Sequence, residues 1–308
     1  MDSENRMSAL TWGLLLLLGL IWGGSFFFAR IAVHHVPPLT LVLLRLSLAA
    51  VALHLYIAGR FSIYPLLRSH WRQFLLLGLI NNAVPHALIF FGQTQMGAGL
   101  ASILNATTPI WTVLIGNQLT TDERLTPAKL AGCLIGLVGT AVLLAPSVTN
   151  SASVPFWALL LPIIAAISYG FAAIYAKRFK GIAPTVVATG QLTGSSLIML
   201  PVALTVDQPW TLATPPAAAI AAILGLALLS TAFAYILYFR IMALAGATNA
   251  SLVTLLVPPS AMLLGFLFLG ERLGGPEIAG MLLIGAGLLI LDGRFYAWMR
   301  RGTRTGTI

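Results

Sequence analysis

Composition, apolar spacing and internal repetition together predict an all-α integral membrane protein, with ten transmembrane helices arranged as two inverted five-helix repeats around a central cavity. Of 308 residues, 58% are hydrophobic and only 8% are charged, against roughly 25% charged in an ordinary globular chain. The chain divides into ten apolar stretches, each about 20 residues long, the length of helix that crosses a hydrocarbon core. The second five stretches echo the first five at an offset of roughly 147 residues. Lipid offers backbone polar groups no partner, so such spans must be helical. The same composition excludes a disordered chain and a nucleic-acid binder, and the lone Cys133 supports no disulfide framework. A net charge of +9 fits basic loops retained on the cytoplasmic side of a membrane.

The first span is centred near Leu18. It begins soon after Arg6 and its apolar run continues past Trp22 to Ala29, longer than the apolar core of a secretion signal, which predicts a retained helix. Val36-Pro37-Pro38 turns the chain into the second span, near Leu48, which carries Arg45 inside its apolar run. The third, near Pro85, presents Asn82, His86 and Gln93 at spacings of four and seven. A regular helix puts these on one face, and that face must turn toward other helices or a cavity. The fourth, near Thr108, carries Ser102, Asn105, Pro109, Trp111 and Thr112; the fifth, near Leu137, is spaced by Gly132, Gly136 and Gly139. The sixth lies near Ala166 with Tyr169 and Tyr175, the seventh near Thr193 with Gln191, and the eighth near Leu228 with Tyr235 and Tyr238. The ninth, near Pro258, carries Ser251, Thr254 and Pro259, and Gly274-Gly275-Pro276 leads into the tenth, near Ile284. With the N-terminus inside, fourteen of the seventeen Lys and Arg fall on the cytoplasmic side, Arg30 and Arg272 fall outside, and Arg45 lies within a span. That bias predicts both termini in the cytoplasm. The loops are short and leave no room for a soluble catalytic domain.

The repeat pairs Trp22-Gly23 with Tyr169-Gly170, Arg30 with Lys177, and Pro38 and Arg45-Leu46 with Pro184 and Gln191-Leu192. It continues through Ser102 and Pro109 with Ser251 and Pro258, Glu123-Arg124-Leu125 with Glu271-Arg272-Leu273, and Gly132 and Gly139 with Gly280 and Gly287. Residues 1–147 and 148–308 are thus the expected repeat units. Five is an odd number of crossings, so the second copy enters the membrane in the opposite sense, an arrangement that gives transporters two exchangeable conformations about a midplane site.

On these residues the chain resembles the ten-helix drug/metabolite transporter superfamily, each half resembling one EamA-type repeat. Within it the chain is similar to bacterial amino-acid and metabolite exporters, including the aromatic amino-acid exporter branch. The resemblance implies a multi-pass protein of the bacterial plasma (inner) membrane that moves small solutes outward. The four-helix multidrug relatives carry a membrane-embedded glutamate in their first helix, whereas Leu10 to Ala29 here contains no acid.

All eight acidic residues fall at termini, loops or helix ends. An ion-coupled carrier generally keeps an ionisable group inside its bundle, so the expected mechanism is alternating access by facilitated diffusion. His86 is the mid-membrane group suited to proton exchange, and proton-coupled antiport through it is the alternative. Trp22, Asn82, His86, Gln93, Asn105, Trp111, Tyr169 and Tyr235 are the candidate substrate contacts. Amides, an imidazole and aromatic faces suit a neutral or zwitterionic metabolite with an apolar part, such as an aromatic or apolar amino acid. Arg45 has two readings, a receptor for a substrate carboxylate or a side chain that snorkels or pairs with backbone carbonyls. Pro109 and Pro258 interrupt corresponding spans and are the candidate hinges. No catalytic residue, metal ligand set or cofactor is expected: there is no His-Glu-x-x-His or Gly-x-Ser-x-Gly motif, and His34-His35, as sequence neighbours beside a Pro-rich loop, read as an interfacial pair. A passive channel and an intramembrane enzyme are the remaining rivals. The expected partners are the small-molecule substrate and the lipid bilayer, with no nucleic acid. Glycine spacings such as Gly19 to Gly23 serve packing within one bundle and between copies alike, so they assign no oligomeric state.

Overall fold

A computed structural model of the chain describes residues 7–58, 63–96, 98–121, 125–148, 154–269 and 274–291. Among them regular structure is entirely helical: α1 (Ala9–Val33), α2 (Pro38–Ile57), α3 (Ile63–Ser69), α4 (Trp71–Gln95), α5 (Ala98–Asn105), α6 (Thr108–Leu119), α7 (Pro127–Val148), α8 (Phe156–Phe179), α9 (Pro184–Val206), α10 (Ala217–Ser251), α11 (Val253–Leu269) and α12 (Gly275–Leu291), with one turn of 3-10 helix at Pro209–Thr211. Six of these, α1, α2, α4, α8, α9 and α10, are long and apolar enough to cross a membrane, and Pro127–Leu143 of α7 and the whole of α12 are shorter apolar helices. Each expected span centre falls in a helix, but the one at Thr108 falls at a break between α5 and α6. The short α3 buries none of its residues and has no apolar run to announce it.

Helix ends follow local chemistry. The Ser8 side chain accepts from the Thr11 backbone N–H at 3.1 Å and starts α1. Pro38 and Pro184 open α2 and α9 in the first turn, where a missing N–H costs nothing. A long-range cap also closes α2: Asp207, at the end of α9, accepts from the Thr40 N–H at 2.7 Å and from the Thr40 hydroxyl at 3.0 Å. A carboxylate there satisfies an orphan donor and opposes the positive helix end. Asp207→Ala is therefore expected to lower stability by about 1 kcal/mol, read as a lower thermal midpoint in detergent. Asp207→Asn, which keeps an acceptor, should fall between.

The largest helix–helix contacts recur in pairs between the first and the second part of the chain. The helices α2 and α9 pack together, as do α7 and α12; α1 lies on α11 as α8 lies on α6; α4 lies on α9 as α10 lies on α2; and α4 meets α8 as α10 meets α1. Regular α-helix is also interrupted at corresponding places. One turn of α4 (Leu79–Ala83) and one of α10 (Leu228–Phe233) are π-helical, and α10 kinks at Gly246, whose φ of 84° favours glycine. The outer faces expose large apolar side chains such as Leu16, Leu55, Phe156 and Leu282, a surface that water-soluble monomers rarely present at this extent.

Candidate functional site

The two π-helical turns build the centre of the bundle. Such a turn bonds i to i+5 rather than i+4, widening the helix and leaving backbone oxygens open to other partners. In α10, the Thr231 hydroxyl donates back to the Leu226 carbonyl at 2.7 Å, and the Ser230 carbonyl accepts from Trp22 Nε1 at 3.2 Å and Arg45 Nη2 at 3.4 Å. Arg45 Nε donates to Thr231 Oγ1 at 2.7 Å. In α4, the Asn81 amide donates to Gln191 Oε1 at 2.9 Å, the Asn81 carbonyl accepts from the Tyr235 hydroxyl at 3.3 Å, and the Ile80 carbonyl accepts from the Ser168 hydroxyl at 2.6 Å. Arg45 and its repeat counterpart Gln191 thus each brace a π turn in the opposite half.

Between these braces lies a cavity of about 70 Å³. It has room for several waters. Trp22, His86, Gln93, Asn105, Tyr169 and Tyr235 all line it, so six of the eight expected contacts come together. One wall is aromatic: the Trp22 ring lies 5.6 Å from Tyr238 and 6.0 Å, edge-on, from Tyr235. His86 stacks near Phe90 at 6.3 Å and meets Tyr169 at 6.4 Å. Several lining atoms have no hydrogen-bond partner among the described residues: His86 Nδ1, Asn105 Oδ1, and both amide atoms of Gln93. Buried polar atoms are normally satisfied, so these are the groups a solute or water would meet.

A charged side chain reaches the cavity. Arg45 lines it and is only 6% exposed, and no Asp or Glu is among the described lining residues. Snorkelling is excluded by this burial, while the pairing with a backbone carbonyl is present.

Two expected contacts do not reach the cavity. Asn82 is fully buried, with neither amide atom partnered among the described residues. The spacing of Asn82, His86 and Gln93 shares one face only at 3.6 residues per turn, whereas the π turn ending at Ala83 rotates the preceding residues and brings Asn81 to the cavity instead, five residues before His86. Trp111 donates to Thr107 Oγ1 at 3.2 Å, one turn back on the same side of its own span, and its backbone packs on Gly170. A signal for Asn81 was present in the sequence. Pro85 has no N–H for the carbonyl four residues earlier, which is the Asn81 oxygen that Tyr235 uses. Tyr238, Thr108 and Ser25 also line the cavity, and no spacing singled out Ser25.

The prolines are also placed differently from the hinge expectation. Pro109 sits in the first turn of α6, so the break lies just before it, at Ala106-Thr107. Pro258, with Pro259, lies inside the continuous helix α11; the breaks nearest before it are at Gly246 and Leu252. The paired Glu123-Arg124 and Glu271-Arg272-Leu273, the basic tail and Arg6 lie outside the described residues.

Comparison with known proteins agrees with this architecture. The model of the EamA-like transporter family matches residues 10–145 and again residues 156–291. The chain is 25% identical over 276 residues to the uncharacterised transporter YoaV of Bacillus subtilis, covering 88% of this chain and 92% of that one. It is 29% identical over 288 residues to a probable amino-acid metabolite efflux pump of Salmonella typhimurium (90% and 93% covered), and 26% identical over 302 residues to a probable terminal-alkyne amino-acid exporter of Streptantibioticus cattleyicolor (98% and 99% covered). One crystal structure superposes with a TM-score of 0.72 at 20% identity, over 92% of this chain and 98% of that one, which shows the shared fold.

Proposed function

The chain belongs to the EamA-like transporter family, and from that premise we propose that it exports small amino acids and related metabolites with apolar or aromatic side chains across the bacterial inner membrane. The observation that carries this reading is the narrow central cavity, with an aromatic wall on one side and unpartnered amide and imidazole atoms among its lining. The printed names of the Salmonella and Streptantibioticus relatives support the solute class.

In this reading ten spans form two inverted repeats, residues 1–147 and 148–308. The recurring contact pairs, the paired π turns and the twofold family match support it. The excess of basic residues on one side supports cytoplasmic termini. Alternating access comes from rocking of the halves, with Ala106-Thr107 and Gly246-to-Leu252 as flexing points beside the prolines Pro109 and Pro258. Trp22, Tyr235 and Tyr169 face the apolar part of the solute, and Asn105, Gln93 and His86 face its polar part.

Facilitated diffusion is supported by the absence of a carboxylate among the described lining residues. In proteoliposomes, counterflow of labelled phenylalanine is expected to depend on the unlabelled amino acid inside and to be unchanged by an imposed proton gradient. Luminal pH movement in proportion to solute flux would instead support proton antiport. His86 lines the cavity, which is the observation that favours that second reading, and His86→Gln would then abolish the coupling. Loss of saturation and of counterflow would point to a channel and overturn the carrier.

A further inference from the structure

We propose that Arg45 is the carboxylate anchor of the cavity and that cargo is chosen by its carboxylate, not by its ammonium group. N-acylated amino acids and amine-free monocarboxylates with apolar tails are then carried alongside free amino acids. This rests on the exporter reading above and names what that site requires.

Arg45 braces the fold without using its charge. Its partners are a hydroxyl and a backbone carbonyl, both neutral, so the bonds hold the side chain without cancelling its charge. Gln191 occupies the corresponding place in the other half, is fully buried, and braces the α4 π turn through a neutral amide. Bracing therefore requires a polar side chain and no charge. A cation about 10 Å into a membrane helix is costly and is retained where it meets an anion or a pathway. Among the described residues the protein gives Arg45 no anion, which leaves one to arrive with the solute. A guanidinium fork suits a carboxylate in particular, because two parallel N–H groups match its two oxygens.

The neighbourhood of Arg45 sets the rest of the specificity. Trp22 shares the Ser230 carbonyl with Arg45, and Tyr235 and Tyr238 adjoin Trp22, so an apolar tail has its wall next to the anchor. Among the described lining residues no carboxylate receives a cation. The unpartnered atoms that can accept are the amide oxygens of Asn105 and Gln93 and the ring nitrogen Nδ1 of His86, which would take an N-acyl N–H as readily as an ammonium group.

The test uses the purified full-length protein in detergent and four ligands: phenylalanine, N-acetylphenylalanine, 3-phenylpropionate and phenylalaninamide. Ligand-induced thermal stabilisation is titrated for each, since a ligand that binds only the folded form raises the midpoint with its concentration. The three carboxylates are expected to bind within about tenfold of one another, and the amide at least about tenfold more weakly. Arg45→Gln, which installs the residue of the other half, should keep the unliganded midpoint near wild type and erase that preference. Arg45→Lys should keep part of it.

Equal binding of phenylalanine and its amide by the wild type would overturn the anchor and leave the amino-acid exporter standing. Binding of phenylalanine alone would make the ammonium essential and overturn it as well. Binding of 3-phenylpropionate and N-acetylphenylalanine without phenylalanine would support the anchor while removing free amino acids from the cargo. If none of the four binds, both readings fall. Should Arg45→Gln not fold, the wild-type series and Arg45→Lys decide the matter.

Discussion

Gly287→Val is expected to leave little or no folded protein, whereas Gly285→Val, two residues away on the same helix, should be tolerated. A Cβ at Gly287 would lie 2.7 Å from the Gly132 carbonyl oxygen and 2.8 Å from the Gly136 nitrogen, while one at Gly285 meets nothing within 4 Å. The obstacle is backbone on the facing helix α7, which cannot swing aside like a side chain. Gly132, Gly136 and Gly139 on α7 and Gly280 and Gly287 on α12 are all buried and form the close seam between these helices. Membrane helices associate through such backbone approach, because lipid removes the hydrophobic drive between them. Overpacking an interior that can yield costs about 1–3 kcal/mol. Here α7 and α12 must separate along their length, so the loss should reach a large share of the roughly 5–15 kcal/mol that holds a typical protein folded. Size-exclusion profiles and thermal midpoints in detergent read the result. A wild-type midpoint for Gly287→Val would mean that the helices do not meet on this face.

The second large effect concerns the brace between α4 and α9. Asn81→Leu should destabilise by about 1–3 kcal/mol, because it removes the one bond of a fully buried amide. Gln191 already has no partner for its Nε2 among the described residues, and its Oε1 is held by Asn81 alone. Gln191→Leu should cost a similar amount for the mirrored reason. The double variant is expected to recover most of the loss, since replacing both partners by apolar groups leaves nothing unsatisfied. The two helices cannot move apart to absorb the change: Gly78 brings α4 so close to α9 that a Cβ there would sit 2.6 Å from the Gln191 carbonyl. A thermal-denaturation cycle over the four proteins measures the coupling. Strictly additive losses would show that the two amides do not depend on one another. Transport by the double variant should remain impaired, because Asn81 lines the cavity.

Helix positions were legible to within a few residues because they depend on local sums: an apolar run of sufficient length must be helical in lipid, whatever it packs against. The glycine seam was legible as spacing, although spacing alone did not say which helices it joins. The site was legible in part. Trp22, Tyr169, Tyr235, Asn105, His86 and Gln93 line the cavity, as polar and aromatic residues within a span cannot face lipid. Asn82 and Trp111 do not line the cavity, for different reasons. Asn82 lies within the π turn, where the helical pitch changes, and Trp111 satisfies its indole locally and packs into the bundle.

The repetition of Pro38 with Pro184, Arg45 with Gln191 and Gly132 with Gly280 in an apolar, acid-poor chain was enough to establish a helical membrane protein of this family, since hydrophobicity, proline and glycine act through a residue's immediate surroundings. Which of two adjacent asparagines meets the cavity, and whether a cation in the second helix is paired, were decided only by tertiary structure. The π turn of α4 selects Asn81, and the π turn of α10 holds Arg45 beside the aromatic wall without neutralising it. No proline marks the π turn of α10, and a helix takes an extra residue into one turn only when contacts from other helices satisfy the backbone it frees. Those contacts come from Trp22 and Arg45, more than 180 residues away in the chain, where no local pattern can record them.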